Sequence, residues 1–265
     1  MPLFVRRLLV GALAAALGCS ESAPPASASE STLRVCVRPN PGFLELGPEG
    51  PAGLEYDLLG DFARAHGLRL ELLWLDHFKT LLPSVMNGAC DIGASCVTAT
   101  DARRRQVLFS EPYFPSRVLL VEPREQVTVG PEALAGQRIA VVRGTLQEEI
   151  VSAIPGVEVV SVAEDRKLFE AIRSGDADSA VCDSAIVLPF LQEFPELAVR
   201  FPLSERSFFA FALTPDSPWK AKLDVHLQSI RSSGLYRQFL VKNFGEDGAA
   251  YILESDDEAD DATAD

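Results

Sequence analysis

An arginine that can bind a carboxylate follows two threonines near the middle of the chain. Thr98 and Thr100 are suited to helix capping, so Arg103 is expected one turn into a short helix. A guanidinium presents a planar fork of N–H donors that matches a carboxylate with two hydrogen bonds. Thr98 can add a hydroxyl or amide donor. The alternative is that Arg103 lies on the surface like its neighbours Arg104 and Arg105.

Two further segments can contribute to the same site. Gly144, Thr145 and Leu146 stand between a predicted strand and a predicted helix, where free amides can bind an anion. A plain turn is the alternative there. Asp183 ends an apolar run and can bind an ammonium group, or it can cap the following helix. A fixed cation, a fixed anion and spare N–H donors are what a zwitterionic α-amino acid requires.

Residue patterns typical of catalysis or metal binding are missing from the sequence. The three histidines, His66, His77 and His226, lie in no motif resembling a Ser/His/Asp or Cys/His set. No phosphate-binding glycine loop and no Cys/His spacing typical of zinc occurs. We therefore expect no catalytic residue, no metal and no cofactor.

The elements that must position these residues alternate between strand and helix. Repeated strand–helix–strand units predict an α/β protein with parallel sheets flanked by helices. Ligands of such sheets collect at the carboxyl ends of the strands. The predicted strands are 33–38, 68–74, 91–96, 118–121, 138–142, 157–161, 179–182 and 208–213. The predicted helices are 54–66, 78–87, 146–153, 163–174, one from 184, 220–231 and 235–244.

The N-terminal residues predict export. Arg6 and Arg7 precede an apolar run, Leu8 to Leu17, which has the length of a signal-peptide core and is too short to span a bilayer. We expect a signal peptide over 1–18 and a flexible Ser/Ala/Pro-rich tether over 19–31. The run ends at Cys19 and resembles a bacterial lipobox, so we expect lipidation of Cys19. An ordinary cleaved signal with a chance cysteine is the alternative.

The charge of the chain argues against one class of partner, and its cysteines indicate buried positions. The chain has 24 basic and 38 acidic residues and a net charge of −14, which argues against a nucleic-acid partner. Seven of the acids fall within 254–265, and we expect residues 247–265 to form an acidic disordered tail. Cys36, Cys90, Cys96 and Cys182 lie in or beside apolar runs, which favours buried apolar roles, although an oxidising compartment would permit a disulfide.

Five blocks in order resemble the family 3 periplasmic solute-binding proteins, the amino-acid receptors of ABC importers. The resemblance covers about Leu33 to Phe244. Its blocks are Gly53-Leu54-Glu55-Tyr56-Asp57-Leu58; Leu81 to Asp91; Thr98 to Arg103 with Phe109-Ser110-Glu111-Pro112-Tyr113; Gly144-Thr145; and Asp178 to Asp183.

This resemblance implies a two-lobed, type II periplasmic-binding-protein-like fold that closes on its ligand. It places 32–121 plus 213–246 in lobe 1 and 122–212 in lobe 2, with crossings at 118–121 and 208–213. It implies a small amino-acid-like ligand, an ABC transporter permease as partner, a location outside the cytoplasm and a monomer. The rival functions are an enzyme on the same fold, similar to cyclohexadienyl dehydratase, and a sensing or accessory protein without a transporter.

The resemblance also assigns residues to the site. It selects Arg103 for the ligand carboxylate, Asp183 for the ammonium and Phe78 for stacking, with a core role as the alternative for Phe78. Cys96 replaces a common glycine, but its carbonyl can still accept from an ammonium. Arg38 stands near a position where the family often has an acid. This change disfavours lysine, arginine or histidine as ligand and leaves an acidic or neutral polar side chain.

Overall fold

Two five-stranded sheets, each flanked by helices, form the two lobes. The computed structural model describes residues 31–262, with the side chains at positions 188, 189, 247, 251 and 254–262 left out. The predicted signal peptide, Cys19 and all but the last residue of the predicted tether lie outside the described residues.

The strands in chain order are β1 (Ser31–Val37), β2 (Glu45–Gly47), β3 (Gly50–Ala52), β4 (Leu68–Trp74), β5 (Ile92–Ala94), β6 (Leu108–Phe109), β7 (Phe114–Ser116), β8 (Val118–Pro123), β9 (Arg138–Val142), β10 (Glu158–Val162), β11 (Ser179–Asp183), β12 (Leu197–Pro202), β13 (Ser207–Phe209) and β14 (Ala212–Leu213). The helices are α1 (Leu54–Ala65), α2 (Leu81–Met86), α3 (Asp101–Arg104), α4 (Leu146–Ser152), α5 (Asp165–Ser174), α6 (Ser184–Glu193), α7 (Lys220–Ser232) and α8 (Leu235–Ala262). Two short 3-10 helices, Phe78–Thr80 and Pro131–Leu134, precede α2 and β9.

The first sheet has the order β4-β1-β5-β14-β6 and belongs to lobe 1. β1 lies between β4 and β5 and is parallel to both, while β14 runs antiparallel to its two neighbours. α1 packs on this lobe through Leu54, Leu58 and Phe62, which are fully buried. Gly53 is needed before α1 because its φ is 118° and a Cβ there would lie 2.3 Å from the Phe43 carbonyl oxygen.

The second sheet has the order β10-β9-β11-β8-β12 and belongs to lobe 2. β9 is parallel to β10 and β11, whereas β8 runs antiparallel to β11 and β12. The parallel strand–helix–strand units were predicted, and the antiparallel strands contributed by the crossings were not. Because β1 and β9 are both parallel to their helix-connected neighbours, the carboxyl ends of both sheets bear the loops that meet between the lobes.

The chain passes between the lobes through a pair of short strands. β7 and β13 pair antiparallel, with Ser116 opposite Ser207, and form a two-stranded sheet of their own. The change of lobe on the outward path therefore falls between Ser116 and Val118. The boundary predicted at residue 121 is wrong because β8 pairs with β11 and β12 of the second sheet. The predicted return crossing at 208–213 overlaps β13 and β14.

The C-terminal helix differs from the disordered tail expected from residue 247. α8 continues to Ala262, interrupted at Gly245 by a non-helical φ of 76° and ψ of 174°. Ala249 is fully buried, Ile252 is 7% exposed and Leu253 packs against the core. The expectation of disorder is therefore wrong as far as Leu253, because apolar residues at helical spacing dock this segment. Among the described residues, no helix combines the length and apolar character that crossing a membrane requires.

Two of the four cysteines that the structure describes form a disulfide. Cys36 in β1 and Cys90 just before β5 are bonded, with their Cα atoms 5.7 Å apart. The expectation of a free buried role is wrong for this pair, because the parallel pairing of β1 with β5 brings together residues 54 positions apart. Cys96 and Cys182 are free and buried, as expected.

Candidate functional site

A narrow pocket, partly open to solvent, lies between the lobes. Lobe 1 lines it with Arg38, Asn40, Phe78, Ser95, Cys96, Thr98 and Arg103. Lobe 2 lines it with Val142, Thr145, Leu146, Gln147, Asp165, Val181, Cys182, Asp183 and Ile186. Eight of the nine residues predicted to bind ligand are among these, and Gly144 is not.

Arg103 is held in place by its own short helix. The Thr100 hydroxyl caps α3 by accepting from the Arg103 amide at 3.3 Å, and Arg103 Nη1 donates to the Thr98 carbonyl at 3.1 Å. The guanidinium carbon lies 5.4 Å from the centre of the Phe78 ring, so Phe78 contacts the cation as well as the core. Arg103 is only 7% exposed, which excludes the surface alternative. Burial lowers the pKa of Arg103, against the effect of the Glu149 and Asp183 charges.

Asp183 lies at the end of β11 and is held from two sides. The Ser116 hydroxyl donates to Oδ1 at 3.0 Å, and Gln147 Nε2 donates to Oδ2 at 2.5 Å. The side chain makes no capping hydrogen bond to α6, so the alternative role as a helix cap is not observed. Burial raises the pKa of Asp183 to about 7, although these two hydrogen bonds and Arg103 act to lower it.

The turn before α4 offers fewer free amides to a ligand carboxylate than expected. The Gly144 amide donates to Glu148 Oε2 at 2.7 Å, and the Thr145 amide donates to the Val142 carbonyl at 3.4 Å. Thr145 also caps α4 by accepting from the Glu148 amide. Two of the three amides expected to bind a carboxylate are thus engaged within the loop, that of Gly144 by the Glu148 carboxylate and that of Thr145 by the Val142 carbonyl. Binding by the Leu146 amide stays a prediction.

Gly144 has a different role, at the contact between the lobes. Its φ of 80° lies in the left-handed region, and a Cβ there would lie 2.6 Å from the Lys79 Cβ and 3.0 Å from its Cα. Lys79 belongs to lobe 1 and Gly144 to lobe 2. Glycine therefore permits a backbone approach that any side chain at this position would block.

Cys96 forms part of the pocket through an unusual backbone conformation. Among the described residues it is the only one other than glycine with a positive φ, 51°. The Cys96 amide donates to Glu55 Oε1 at 2.8 Å, and the Tyr113 hydroxyl donates to the same oxygen. Burial raises the pKa of Glu55 to about 7, although both hydrogen bonds act to lower it. The acid of the Gly53-to-Leu58 block thus supports the strand end that carries Cys96.

Arg38 reaches across the cleft from the end of β1. It is 4% exposed, and its Nη2 donates to the Ala163 carbonyl of lobe 2 at 3.1 Å. Two residues further on, Asp165 begins α5 and lines the same pocket. Burial raises the pKa of Asp165, and the Arg38 charge acts to lower it.

Several residues of the site were missed by sequence reasoning. Gln147 directly follows the Gly144-Thr145-Leu146 turn and could have been included on that ground. Ser116 and Asp165 carry no local signal, because their place in the site follows from the hinge and from the packing of α5. Ser95 accepts from Asn40 Nδ2 at 2.8 Å at the lobe 1 wall. Within the part of the chain that the structure describes, no three His, Cys, Asp or Glu side chains group to hold a metal.

Comparisons with known proteins identify relatives over most of the chain. The sequence model of the bacterial extracellular solute-binding proteins, family 3, matches residues 33–246. In fold, a mutant of ArgBP from T. maritima is similar, with a TM-score of 0.77, 27% identity and coverage of 82% of this chain and 96% of that one.

Three curated relatives differ in how much of their length is matched. A probable histidine-binding protein of Campylobacter jejuni is 31% identical over 169 residues, 63% of this chain and 65% of that protein. A probable histidine-binding protein of Neisseria gonorrhoeae is 27% identical, with 89% of this chain and 96% of that protein covered. Membrane-bound lytic murein transglycosylase F of Ectopseudomonas mendocina is 26% identical over 90% of this chain, which spans only 52% of that protein.

The raised pKa of Asp183 predicts a pH dependence of stability in the absence of ligand. An unfolded aspartate ionises near pH 4, whereas folded Asp183 ionises at about 7. Between these values the folded state binds the extra proton, so this residue's contribution to stability falls as pH rises. The unfolding free energy of Asp183→Asn should therefore rise by roughly 2 kcal/mol relative to that of wild type between pH 4 and pH 7. The full pKa shift would give a larger change, but water in the cleft reduces the effect.

The measurement is urea unfolding of both proteins at several pH values. The altered hydrogen bonds to Ser116 and Gln147 add an offset that does not change with pH, so only the slope of the difference counts. Glu55 contributes the same pH dependence to both proteins, so it cancels in the difference between their unfolding free energies. A difference independent of pH would show that Asp183 is ionised in the empty cleft at pH 4 to 7.

Proposed function

The chain belongs to the bacterial extracellular solute-binding proteins, family 3, and we propose that it captures an α-amino acid between its lobes and delivers it to an ABC importer. The observation that carries this proposal is the placement of Arg103 on lobe 1 and Asp183 on lobe 2, both lining one pocket. A zwitterion can offer its carboxylate to one and its ammonium to the other. The two relatives named as probable histidine-binding proteins support an amino acid as the class of ligand.

Closure of the lobes around the ligand follows from the contacts across the cleft. Arg38 donates to Ala163, and Lys79 meets the backbone of Gly144. The strands that connect the lobes, β7 and β13, are three residues each, so they can bend with little loss of packing. A ligand that pairs with both Arg103 and Asp183 adds two more bridges and favours the closed arrangement.

The location and assembly follow the family. The protein works on the outer side of the cytoplasmic membrane, and the lipobox-like sequence at Cys19 supports anchoring by a lipid. We propose that it acts as a monomer, since the site is complete within one chain. A sensing or accessory role without a transporter would use the same pocket, and the presence of both Arg103 and Asp183 favours transport.

A dehydratase acting on prephenate-like acids is the second candidate function. One observation favours it: the carboxyl group of Asp183 in the cleft has a pKa of about 7, suitable for a general acid. The hydrogen bonds from Ser116 and Gln147, however, occupy both of its oxygens and suit an ammonium-binding carboxylate equally well. Incubation with prephenate separates the two functions: binding alone predicts no consumption, and turnover abolished by Asp183→Asn would establish the enzyme.

Removing either charged partner should weaken ligand binding. Closure removes water, so a ligand charge left without its partner costs roughly 2–5 kcal/mol. Arg103→Ala and Asp183→Asn should each reduce affinity about thirty- to several-thousand-fold. Arg103→Lys should not restore it fully, because a point charge cannot replace the fork. Calorimetry measures these affinities, with the ligand chosen by thermal-shift screening of the twenty amino acids.

Arg104→Ala is the matched control for Arg103→Ala. Arg104 is the next residue of α3, is exposed and donates to the Ala99 carbonyl, so its loss removes the same charge outside the pocket. It should bind as wild type does. If both Arg103→Ala and Asp183→Asn bind within about threefold of wild type, the amino-acid proposal is wrong.

Adding a methyl group at Gly144 should hinder closure. Gly144→Ala places a Cβ 2.6 Å from that of Lys79 across the cleft, so the closed state must shift or open. Affinity for the ligand should fall about tenfold or more, equivalent to 1.4 kcal/mol. Calorimetry measures the affinity, and solution scattering should show a larger radius of gyration at saturating ligand than for wild type.

Gly136→Ala separates this effect from backbone strain. Gly136 has a φ of 84° and open space around its would-be Cβ, so its replacement carries only the penalty of the left-handed conformation, about 1–2 kcal/mol of stability. It should bind ligand normally. Equal affinity losses in the two variants would show that contact with Lys79 does not limit closure.

A further inference from the structure

The pocket contains a second pair of opposite charges that the zwitterion does not use. The described residues lining it include four charged side chains, Arg38 and Arg103, and Asp165 and Asp183. If Arg103 and Asp183 bind the carboxylate and the ammonium of the ligand, Arg38 from lobe 1 and Asp165 from lobe 2 remain. Both residues can contact the side chain of the ligand.

Arg38 is buried without its full set of partners. Its side chain makes one hydrogen bond, Nη2 to the Ala163 carbonyl, and its buried Nε–H has no partner among the described residues. A buried guanidinium donor without an acceptor is costly, because its hydration has been lost and not replaced. An acceptor atom supplied by a ligand would remove that cost.

Asp165 lies close to Arg38 without pairing with it. Ala163, which Arg38 contacts, is two residues before Asp165 at the start of α5. The two charges interact, since Arg38 acts to lower the pKa of Asp165. Among the described residues, however, Arg38 has no carboxylate oxygen within the 4.0 Å of an ion pair. The Asp165 carboxylate, which interacts with its own backbone amide, can still accept from a ligand donor, and the unpartnered Arg38 Nε–H can donate to a ligand acceptor.

We propose that Arg38 and Asp165 form a subsite for the ligand's side chain, selecting a neutral group that carries both a hydrogen-bond acceptor and a donor. A carboxamide, as in glutamine or asparagine, offers its oxygen to Arg38 and its NH₂ to Asp165. A neutral imidazole has the same combination of groups, so the proposal admits histidine in its uncharged form, unlike the expectation from Arg38 alone. This inference rests on the proposed function, because it assumes that Arg103 and Asp183 hold the backbone of an amino acid.

The same pair disfavours charged side chains. A lysine or arginine ligand would bring a cation against Arg38, and a glutamate ligand would bring an anion against Asp165. In either case one attractive contact is accompanied by one repulsive contact, and the closed pocket gains a net charge that water no longer solvates. A neutral donor–acceptor group satisfies both residues and leaves the pocket balanced.

The test compares ligands of similar size and different charge. Calorimetry with glutamine, glutamate, lysine and methionine on wild type should show glutamine bound at least tenfold more tightly than the other three. Methionine serves as the neutral side chain without hydrogen-bonding groups of comparable strength. Tighter binding of lysine or glutamate, or equal binding of methionine, would overturn the proposal.

Two variants should change the preference in opposite directions. Asp165→Asn leaves Arg38 uncompensated, so the affinity ratio of glutamate to glutamine should rise about tenfold. Arg38→Gln leaves Asp165 uncompensated, so the ratio of lysine to glutamine should rise by a similar factor. Ratios are used because loss of the Arg38–Ala163 contact weakens closure for all ligands equally. Unchanged ratios in both variants would show that the pair does not contact the ligand side chain.

Controls remove the same charges from the surface. Arg69→Gln on β4 and Asp216→Asn replace exposed residues and should leave every ratio as in wild type.

The experiments distinguish a failure of the proposed function from a failure of this inference. In the first case no amino acid binds, or binding does not depend on Arg103. In the second, amino acids bind through Arg103 and Asp183 with another order of preference.

Discussion

Opposite charges held on the two sides of one cleft are the constraint on which the site depends. Arg103 is buried against Phe78, and burial disfavours its charged form, so its pKa is lowered. Burial also disfavours the charged form of Asp183, so its pKa is raised. Neither side chain reaches the other within ion-pair distance among the described residues. The protein therefore keeps two partly desolvated charges apart, and a ligand that pairs with both recovers the energy that their burial costs.

In the proposed binding mode, Ser116 links the ligand site to the hinge. Ser116 ends β7, the strand on which the chain leaves lobe 1, and it pairs with Ser207 of the returning strand. Its hydroxyl also donates to Asp183, which lies at the end of a strand in lobe 2. Any rotation between the lobes thus acts on a residue that helps to orient the Asp183 carboxylate, which we propose binds the ligand's ammonium group. Gln147, the second donor to Asp183, belongs to lobe 2, as Asp183 itself does.

Features that depend on local sequence were predictable, and features that depend on pairing between distant segments were not. Arg103 could be predicted because the threonines before it indicate a capped helix, as the Thr100 hydroxyl confirms, and because the family resemblance selects it over Arg104 and Arg105. The disulfide of Cys36 and Cys90 depends on β1 lying beside β5, which no spacing reveals. Asp165 likewise enters the pocket only through the packing of α5 against the cleft. The fold could be predicted further than the site, because strand–helix alternation repeats along the chain and a pocket is assembled from single residues.

The balance of charge inside the pocket differs from that of the whole chain. A net charge of −14 attracts cations at long range and speeds their encounter with the protein, but salt screens this field beyond about 8 Å at physiological ionic strength. Within the cleft, two arginines and two aspartates line one pocket, where burial weakens screening by salt. Arg38 sets the charge balance of the pocket. Without it, two aspartates would face one arginine, and the pocket would favour a cationic side chain, as the overall charge does. We therefore expect the closed pocket to select the ligand, mainly through the rate of dissociation and less through the rate of encounter.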